Sequence, residues 1–466
     1  MSFIFLGNRP VSAFARGLSL LAILLPVVTP AQSRSPFQGS VVTGQAQAQP
    51  LALTLDDAVQ RGLRSNLGIL LSSSQAAAAR GQQVAQLQSL LPTVDFAAKE
   101  TVMQVDLPSE GMRLASFPTI VGPFGYTDVR ATLNWSLVDV ASLRRYLAAR
   151  HNFAAAQLTA ADARELVIFT VANAYLIVVA DETRIAAVLA QDATAKISLD
   201  QARARHQAGT APQIDELRAK VDAQSIEQQL IVARNALEKD KLALARTIGL
   251  PLDQQFTLAD QAPFAVFDRP DLAAAVAQAR AARKDLAAQA ETTQVSEQQR
   301  KAATADRLPS LAFSGDYGDI GTTLSHSHGT GDAAGTLSFP LFREFALRGG
   351  AQQAQAQLDT DRAKLADQRE QVEADVRDAL LDIESSSKQV EVAQSSVALS
   401  TEVLNEAQQR YAAGVSDNLA VSQAEQSLAQ ANDQLVVSLY RNNIAKLSLA
   451  RALGAAASYK NYLGGK

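Results

Sequence analysis

Few side chains in the sequence have the types and spacing that metal binding or catalysis requires. His326, His328 and Asp332 lie close together, and imidazole and carboxylate groups at short spacing can bind zinc. The Gly-, Ser- and Thr-rich residues around them favour an exposed loop without a metal. The sequence contains no P-loop, no H-E-x-x-H, no G-x-S-x-G and no dinucleotide-binding glycine motif. We therefore predict that the protein is not an enzyme and has no cofactor or metal site.

A pattern of an alanine, an arginine, a ring-bearing residue and a glycine occurs twice, 205 positions apart. Its members are Ala202, Arg205, His206 and Gly209 in the first copy and Ala407, Arg410, Tyr411 and Gly414 in the second. Glycine adopts the left-handed conformation that ends many helices without a steric cost. The helix dipole favours an arginine near the same end. Each pattern predicts the end of a long helix and a tight turn into the next one.

The paired pattern belongs to an internal duplication of most of the chain. Leu91-Pro92 recurs as Leu308-Pro309, 217 positions later, but the next landmark recurs after 204. About thirteen extra residues therefore lie between Val105 and Tyr126 of the first copy, where we predict an exposed loop tip. We predict a signal peptide at 1–31, a linker at 32–50, a first repeat at 51–270, a second repeat at 271–454 and a tail at 455–466.

The first residues have the order of a secretory signal. Arg9 and Arg16 precede an apolar run at 17–28, and small residues follow at 29–31. The run is too short for a spanning helix of about 20 residues, although an uncleaved anchor or a buried helix would look similar. No later stretch reaches 18 consecutive apolar residues. We predict no transmembrane helix, so any membrane crossing must consist of strands.

The composition excludes several other classes of protein. The 466 residues include no cysteine, which excludes disulfides, thiol catalysis and a lipid anchor on cysteine. A net charge of −4 argues against a nucleic-acid partner, because phosphate binding needs a basic excess. Aromatic residues are only 5%, whereas small apolar residues are abundant. This balance favours long, closely packed helices over an ordinary globular core.

Two long stretches without glycine or proline, 126–208 and 351–413, predict the longest helices. Their helical parts of about 60 residues would each be about 90–100 Å long, which suits a coiled coil or a helical barrel. Apolar residues recur every seventh position in the second copy, at Val376, Ile383, Val390, Val397, Leu404 and Tyr411. The first copy keeps this stripe with one polar lapse, at Val171, Val178, Ile185, Asp192, Leu199 and His206. We interpret both stripes as helix-pairing cores.

The predicted strands alternate between apolar and polar residues. The apolar members are Val129, Ala131, Leu133, Trp135 and Leu137 in the first copy and Leu337, Phe339 and Leu341 in the second. This alternation is typical of outer-membrane strands, although a half-buried soluble strand also shows it. Four strands per chain cannot close in lipid, and two chains would give a barrel that side chains nearly fill. We therefore predict a homotrimer with twelve strands and a lumen.

With these features, the sequence resembles the TolC-type outer-membrane efflux protein family. The resemblance rests on the opening Leu53 to Val59, on the paired arginine–glycine pattern and on the paired endings Ala245 to Gly249 and Ala450 to Gly454. It implies a mainly α fold with a small β part, in which a trimer forms a twelve-strand outer-membrane barrel continued by a long α-helical barrel across the periplasm of a Gram-negative bacterium. It also implies two partners, a periplasmic adaptor protein and an inner-membrane transporter.

The resemblance also implies roles for particular residues. The tip residues Arg205, His206, Gly209, Arg410, Tyr411 and Gly414 would meet the adaptor. The two arginines would contribute to this docking or contact the neighbouring helix, or else they are solvated helix-end charges. Asp215 would narrow the periplasmic aperture and accept a hydrogen bond from Tyr411 of a neighbouring hairpin, with an exposed aspartate near a helix start as the alternative. The acidic and basic positions of some relatives are Ala420, Gln423 and Ser416 here, so the closing network is incomplete.

Two aromatic residues at equivalent strand positions, Trp135 and Phe339, are expected to face lipid, with a soluble core as the alternative. The function that we expect is export of small molecules such as drugs and toxic compounds. Type I protein secretion is the alternative within the channel class. A periplasmic coiled-coil adaptor or scaffold is the alternative outside it, but such a protein would have one hairpin between two β-rich halves rather than two hairpins.

Overall fold

The computed structural model describes residues 35–112, 118–260, 265, 267–416 and 418–464. The predicted signal peptide and the first three residues of the predicted linker lie outside the described residues. The strands are β1 (Leu51–Leu53), β2 (Thr93–Asp106), β3 (Ile120–Val138), β4 (Phe256–Leu258), β5 (Ser310–Gly321) and β6 (Ser327–Ser338). The main helices are α1 (Leu55–Ser65), α2 (Leu67–Gln88), α3 (Val140–Gln207), α4 (Gln213–Ile248), α5 (Leu272–Ala282), α6 (Lys284–Ala305), α7 (Glu344–Ala412) and α8 (Asn418–Ala452).

Both halves of the chain have the same order of elements, which is helix, two strands, long helix, turn and return helix, in agreement with the internal duplication. The long helices α3 and α7 have 68 and 69 residues, so each is about 100 Å long. Both are longer than the predicted 60 residues. In particular, α7 begins at Glu344 and passes through Gly349 and Gly350. Each glycine costs about 1 kcal/mol, which the cooperative helix on either side offsets.

The two strand pairs form one antiparallel sheet in the order β2-β3-β5-β6. Ala131 of β3 lies opposite Phe96 of β2 and Tyr317 of β5. The next residue, Thr132, lies opposite Asp95 and Asp316. These registers place Phe96, Ala131 and Tyr317 on one face and Asp95, Thr132 and Asp316 on the other, as the alternation predicts. The separation fails near the end of β5, where Asp319 lies opposite Val129 and Ile320 lies opposite Asp128.

The predicted loop tip between Val105 and Tyr126 is partly wrong, because β3 begins at Ile120. Many of the extra residues lengthen the strands of the first hairpin to 14 and 19 residues, against 12 in each strand of the second. The ladder of β2 and β3 continues to the pair Asp106 and Ile120. Backbone pairing with β2 explains why this Pro- and Gly-containing segment is strand rather than loop. Residues 113–117 of the predicted tip lie outside the described residues.

The helical core follows the predicted seven-residue stripes. In α7, Val376, Ile383, Val390, Leu404 and Tyr411 are buried, and Val397 is half-buried. In α3, Val171 and Val178 are fully buried in a cluster with Leu244 and Ile248 of α4. The polar lapse at Asp192 is only 8% exposed, and its carboxylate lies 2.6 Å from Lys196 Nζ. This ion pair explains how the stripe tolerates a carboxylate.

One stretch of α3 has the length and composition of a membrane-crossing helix, alone among the helices of the described part. Its apolar side chains pack inside the protein. Val167, Val171 and Val178 are each 0% exposed, and the Tyr175 hydroxyl donates a hydrogen bond to Leu53 O at 3.1 Å. The packing of α3 against α2, α4, α6 and α8 therefore accounts for the apolar sequence.

Two sets of charges lie inside the helical region. The Arg283 side chain is 8% exposed, and its guanidinium pairs with Asp285 at 2.6 Å and with Asp375. Asp181, on the buried side of α3, is 8% exposed. Burial, together with the adjacent Asp240 carboxyl, raises the pKa of Asp181 to about 6. The first set is compensated, whereas the second holds two acids close together with Arg184, at 3.8 Å from Asp181, to offset them.

Candidate channel surfaces and hairpin tips

One face of the four-stranded sheet is apolar and exposed. Phe96 and Tyr317 are 74% and 72% exposed, although they flank Ala131 in the middle of the sheet. The same face carries Val94, Val129, Leu133, Trp135, Phe313 and Leu337. A continuous exposed apolar surface of this kind marks contact with a membrane or another chain.

The opposite face of the sheet is polar and charged. At its centre the Arg130 guanidinium lies 3.2 Å from Asp128 Oδ1, pairs with Asp316 across the ladder and donates to Thr330 Oγ1 at 3.2 Å. One row runs across the sheet through Asp95, Thr132, Asp316 and Asp332. This face can hold water, since its polar groups need hydrogen-bond partners.

The residues considered for metal binding lie in different local structures. His328 and Asp332 lie within β6, opposite Ile320 and Asp316, which corrects the prediction of a loop. His326 precedes the strand, and its Nδ1 lies 3.1 Å from Thr323 Oγ1 and Ser325 Oγ. Within the described ranges, the structure holds no group of three His, Cys, Asp or Glu residues that could hold a metal ion.

The two aromatic residues predicted to face lipid differ in position. Trp135 lies within β3, is 40% exposed and donates from Nε1 to Leu90 O at 3.3 Å, at the end of the sheet nearest the helices. Phe339 is 58% exposed but follows the last residue of β6, so its placement in a strand is wrong. Pro340 comes next and cannot donate to a ladder, which ends the strand.

Two exposed aromatics near Phe339 were missed by the sequence reasoning. Phe342 is 99% exposed and Phe345 is 94% exposed, where β6 connects to α7. The strand alternation ends before them and the seven-residue stripe of α7 begins after them. Neither period therefore marked these two residues. Their only signal in the sequence is two phenylalanines beside charged residues.

The two hairpin tips have the same turn geometry. Gly209 and Gly414 both have φ of 72°, the left-handed region that the sequence predicts. In the first turn, Thr210 N donates to Arg205 O at 2.9 Å. In the second, Val415 N donates to Arg410 O at 3.1 Å. The duplicated pattern therefore builds the same helix end twice.

At the tips, Arg205 joins the two hairpins of one chain. Its Nη1 donates to Tyr411 O at 2.7 Å, and its Nη2 lies 3.4 Å from Ala412 O. Its guanidinium carbon lies 4.2 Å from the centroid of the Tyr411 ring. The negative end of the helix dipole and the face of the aromatic ring both stabilise a cation in this position. We call this set of contacts, from Arg205 to Tyr411 and Ala412, the tip clasp.

The predicted aperture residues are both buried in the chain. Asp215 is 6% exposed in the first turn of α4, and Tyr411 is 7% exposed. The Tyr411 hydroxyl has no hydrogen-bond partner among the described residues. The chain thus leaves one buried donor near the tip without an acceptor, and such a donor is costly unless another group reaches it.

A cavity of about 830 Å³ lies between α4 and α8 near the tips. Apolar side chains such as Leu217, Val221 and Leu419 line it, together with the carboxylates of Asp222 and Glu425. Ser198 Oγ donates to Glu425 at 2.9 Å. Burial and the nearby Asp222 charge raise the pKa of Glu425. Sequence reasoning missed both acids, because charged residues beside a seven-residue stripe look like a solvated face.

The chain combines a sheet that has one exposed apolar face with a long helical unit. Known proteins with related sequences and folds show the same combination. The profile of the outer membrane efflux protein family matches residues 58–250 and 275–455. The chain therefore belongs to this family, whose members are efflux channels of the outer membrane rather than enzymes. This result rejects the adaptor or scaffold alternative.

Individual proteins give the same picture. The chain is 26% identical to the pyoverdine export outer membrane protein OpmQ of Pseudomonas putida, over 96% of each chain. Its fold is similar to that of the Campylobacter jejuni CmeC outer membrane channel, with a TM-score of 0.78 and 17% identity over 91% of this chain and 92% of the other. It is also similar to the outer membrane protein VceC of Vibrio cholerae, with a TM-score of 0.76 and 21% identity over 86% and 96%.

Proposed function

We propose that three copies of the chain form a channel that carries small molecules across the outer membrane. The observation that carries this proposal is the pair of opposite faces on the four-stranded sheet. An apolar face suits lipid, and a face centred on the Arg130 ion pairs suits a wet lumen. Twelve strands are the smallest multiple of four that leaves an open interior.

The edges of the sheet support closure between copies. Within the described sheet, β2 and β6 are the edge strands, each paired on one side. In lipid, the unpaired backbone groups of an edge would cost several kcal/mol each. Pairing β6 of one copy with β2 of the next satisfies them and continues the antiparallel order. The alternation of faces then continues around the barrel.

The helical region supports the same ring. Apolar side chains remain exposed along α4 and α7, including Ile231 at 63%, Val232 at 61% and Val392 at 66%. The two helix pairs of one chain meet through α3 and α8, which leaves α4 and α7 as the outer members. A neighbouring copy would bury these side chains and continue the row of helices as a cylinder.

We further propose a small-molecule cargo and a tripartite assembly with a periplasmic adaptor and an inner-membrane transporter. The name of the OpmQ relative gives its cargo as pyoverdine rather than a protein. The hairpin tips, with Arg205 and Arg410, would be the docking surface for the adaptor. Type I protein secretion stays the alternative cargo class. The repeat boundaries 51–270 and 271–454 also stay predictions.

We propose the tip as the aperture. Three copies would bring three Asp215 carboxylates close together, and such a ring favours cations. The Tyr411 hydroxyl is buried and has no hydrogen-bond partner among the described residues of one chain. In the ring it would donate a hydrogen bond to the Asp215 carboxylate of a neighbouring copy. Ala420 and Gln423 add no charge, so the ring would hold one carboxylate per copy.

The experiment measures the mass of the purified protein in detergent and its conductance in a planar bilayer. A trimer that dissociates on heating and conducts ions is the expected result. A stable monomer that conducts would contradict the closure argument. To test the cargo, the medium of a deletion strain is compared with that of the complemented strain. Loss of low-molecular-mass compounds is expected, whereas loss of a polypeptide would favour type I secretion.

A further inference from the structure

The tip clasp joins the two copies of the duplicated unit at equivalent helix ends, so the position of its counterpart follows from the repeat. The donor, Arg205, belongs to the first copy, and Arg410 lies 205 positions later. The acceptors, at Tyr411 and Ala412, belong to the second copy. The residues 205 positions before them are His206 and Gln207.

Within one chain, the counterpart is not formed. Arg410 is 62% exposed at the end of the outer helix α7 and lies 3.8 Å from Glu406 on its own helix. Its equivalent, Arg205, reaches across to the other hairpin. The difference arises because Arg205 has the second hairpin of its own chain to contact. On the side of the second hairpin that faces away from the first, the chain has no third hairpin for Arg410 to contact.

The acceptor side of the counterpart is already built. Gly209 N donates to His206 O at 3.0 Å, as Gly414 N donates to Tyr411 O at 3.1 Å. The two turns also share φ of 72°. The carbonyls at the two helix ends therefore have the same arrangement. Those at the end of α3 belong to His206 and Gln207, and those at the end of α7 belong to Tyr411 and Ala412. His206 supplies a ring where the second copy has the phenol.

We propose that Arg410 of one copy clasps the end of α3 in the next copy. Its guanidinium would donate to the carbonyls of His206 and Gln207 and lie over the imidazole ring. This inference rests on the proposed trimer. The tip of the ring then has six clasps, three within chains and three between them. Neighbouring hairpins separate only when their clasp breaks, so the clasps hold the tip together.

Because the sequence has no cysteine, cross-linking can test this contact directly. The variant Arg410→Cys/Gln207→Cys is treated with a short bifunctional thiol reagent in the assembled trimer. Covalent dimers and trimers on a denaturing gel are expected. The matched variant Arg205→Cys/Ala412→Cys places thiols across the clasp that one chain contains. It should give a cross-linked monomer of altered mobility.

Two results would overturn the inference in distinguishable ways. A wild-type monomer would overturn the proposed trimer and this contact with it. A wild-type trimer in which Arg410→Cys/Gln207→Cys gives no covalent dimer, while the matched variant reacts, would overturn only the contact between copies.

Conductance gives a second readout. Arg410→Ala and Arg205→Ala should each raise the ratio of open to closed time by about tenfold, because each removes charge-assisted hydrogen bonds and a cation–ring contact. The control is Arg203→Ala, since Arg203 pairs at 3.4 Å with Glu216 inside one hairpin. It should conduct like the wild type. An Arg410→Ala trimer with wild-type conductance, beside an Arg205→Ala trimer that opens, would overturn the inference.

Discussion

Two neighbouring residues in β3 lie on opposite faces of the sheet, which allows a sharp test of the membrane-facing side. Ala131 lies between Phe96 and Tyr317, both largely exposed on the apolar face. Thr132 lies between Asp95 and Asp316 on the polar face. We compare Ala131→Arg with Thr132→Arg. The charge, the size and the strand are the same, so only the face differs.

The depth of these residues sets the size of the effect. β3 has 19 residues and β5 has 12, and Ala131 and Tyr317 each lie near the middle of their strand. An arginine that faces lipid at mid-depth costs about 2–4 kcal/mol per chain. Ala131→Arg should therefore lower the ratio of inserted to uninserted protein about 30-fold to about 900-fold. At Thr132 an arginine finds two carboxylates, so Thr132→Arg should insert like the wild type.

The assay is folding into lipid vesicles, followed by the heat-dependent mobility of the folded trimer on a gel. Ala131→Leu serves as the control for side-chain size, because an added apolar group on a lipid face should not impair insertion. Conductance of the inserted Thr132→Arg trimer is measured in asymmetric salt. Added positive charge in the lumen should shift the reversal potential toward anion preference.

The reasoning would be refuted by a Thr132→Arg protein that inserts as poorly as Ala131→Arg, or worse. The first outcome would mean that neither face is wet, as in the interior of a soluble sheet. The second would mean that the faces are reversed. An Ala131→Arg protein that inserts normally would contradict the lipid contact of this residue directly.

Three further predictions concern the helical region. Arg283→Met should destabilise the folded protein by about 3–5 kcal/mol, because two carboxylates lose a buried partner. The control Arg280→Met removes an exposed ion pair and should cost less than about 1 kcal/mol. Denaturant unfolding followed by circular dichroism measures both free energies of unfolding. Asp181 has a folded pKa of about 6, above the ordinary value of 3.8 for an aspartate, so its contribution to stability is present below about pH 4 and is lost as the pH rises through about 6. Asp181→Asn should raise the melting temperature at pH 7 and flatten this dependence, and an unchanged pH profile would contradict the assignment. Asp215→Asn should lower cation selectivity in single-channel recordings without changing trimer yield, and a wild-type reversal potential would reduce Asp215 to a helix-end charge.

The sequence by itself determined the features that arise from local periodicity. A seven-residue stripe and the absence of proline predict the long helices, because helix formation depends on neighbours within a turn or two. A two-residue alternation predicts which strand residues share a face. Gly209 and Gly414 predict the two turns, since φ of 72° has little steric cost for glycine. The duplication then predicts the order of elements, and the resemblance of its motifs predicts the family.

Only the tertiary structure decided where elements end and which distant residues meet. Pairing with β2 converts part of the expected loop before Tyr126 into strand, and helix cooperativity carries α7 back to Glu344, through two glycines. Phe339 falls outside β6 because the ladder ends before Pro340. The contact of Arg205 with Tyr411 joins residues 206 positions apart. No local pattern encodes such a distance, because it depends on how the two hairpins pack side by side.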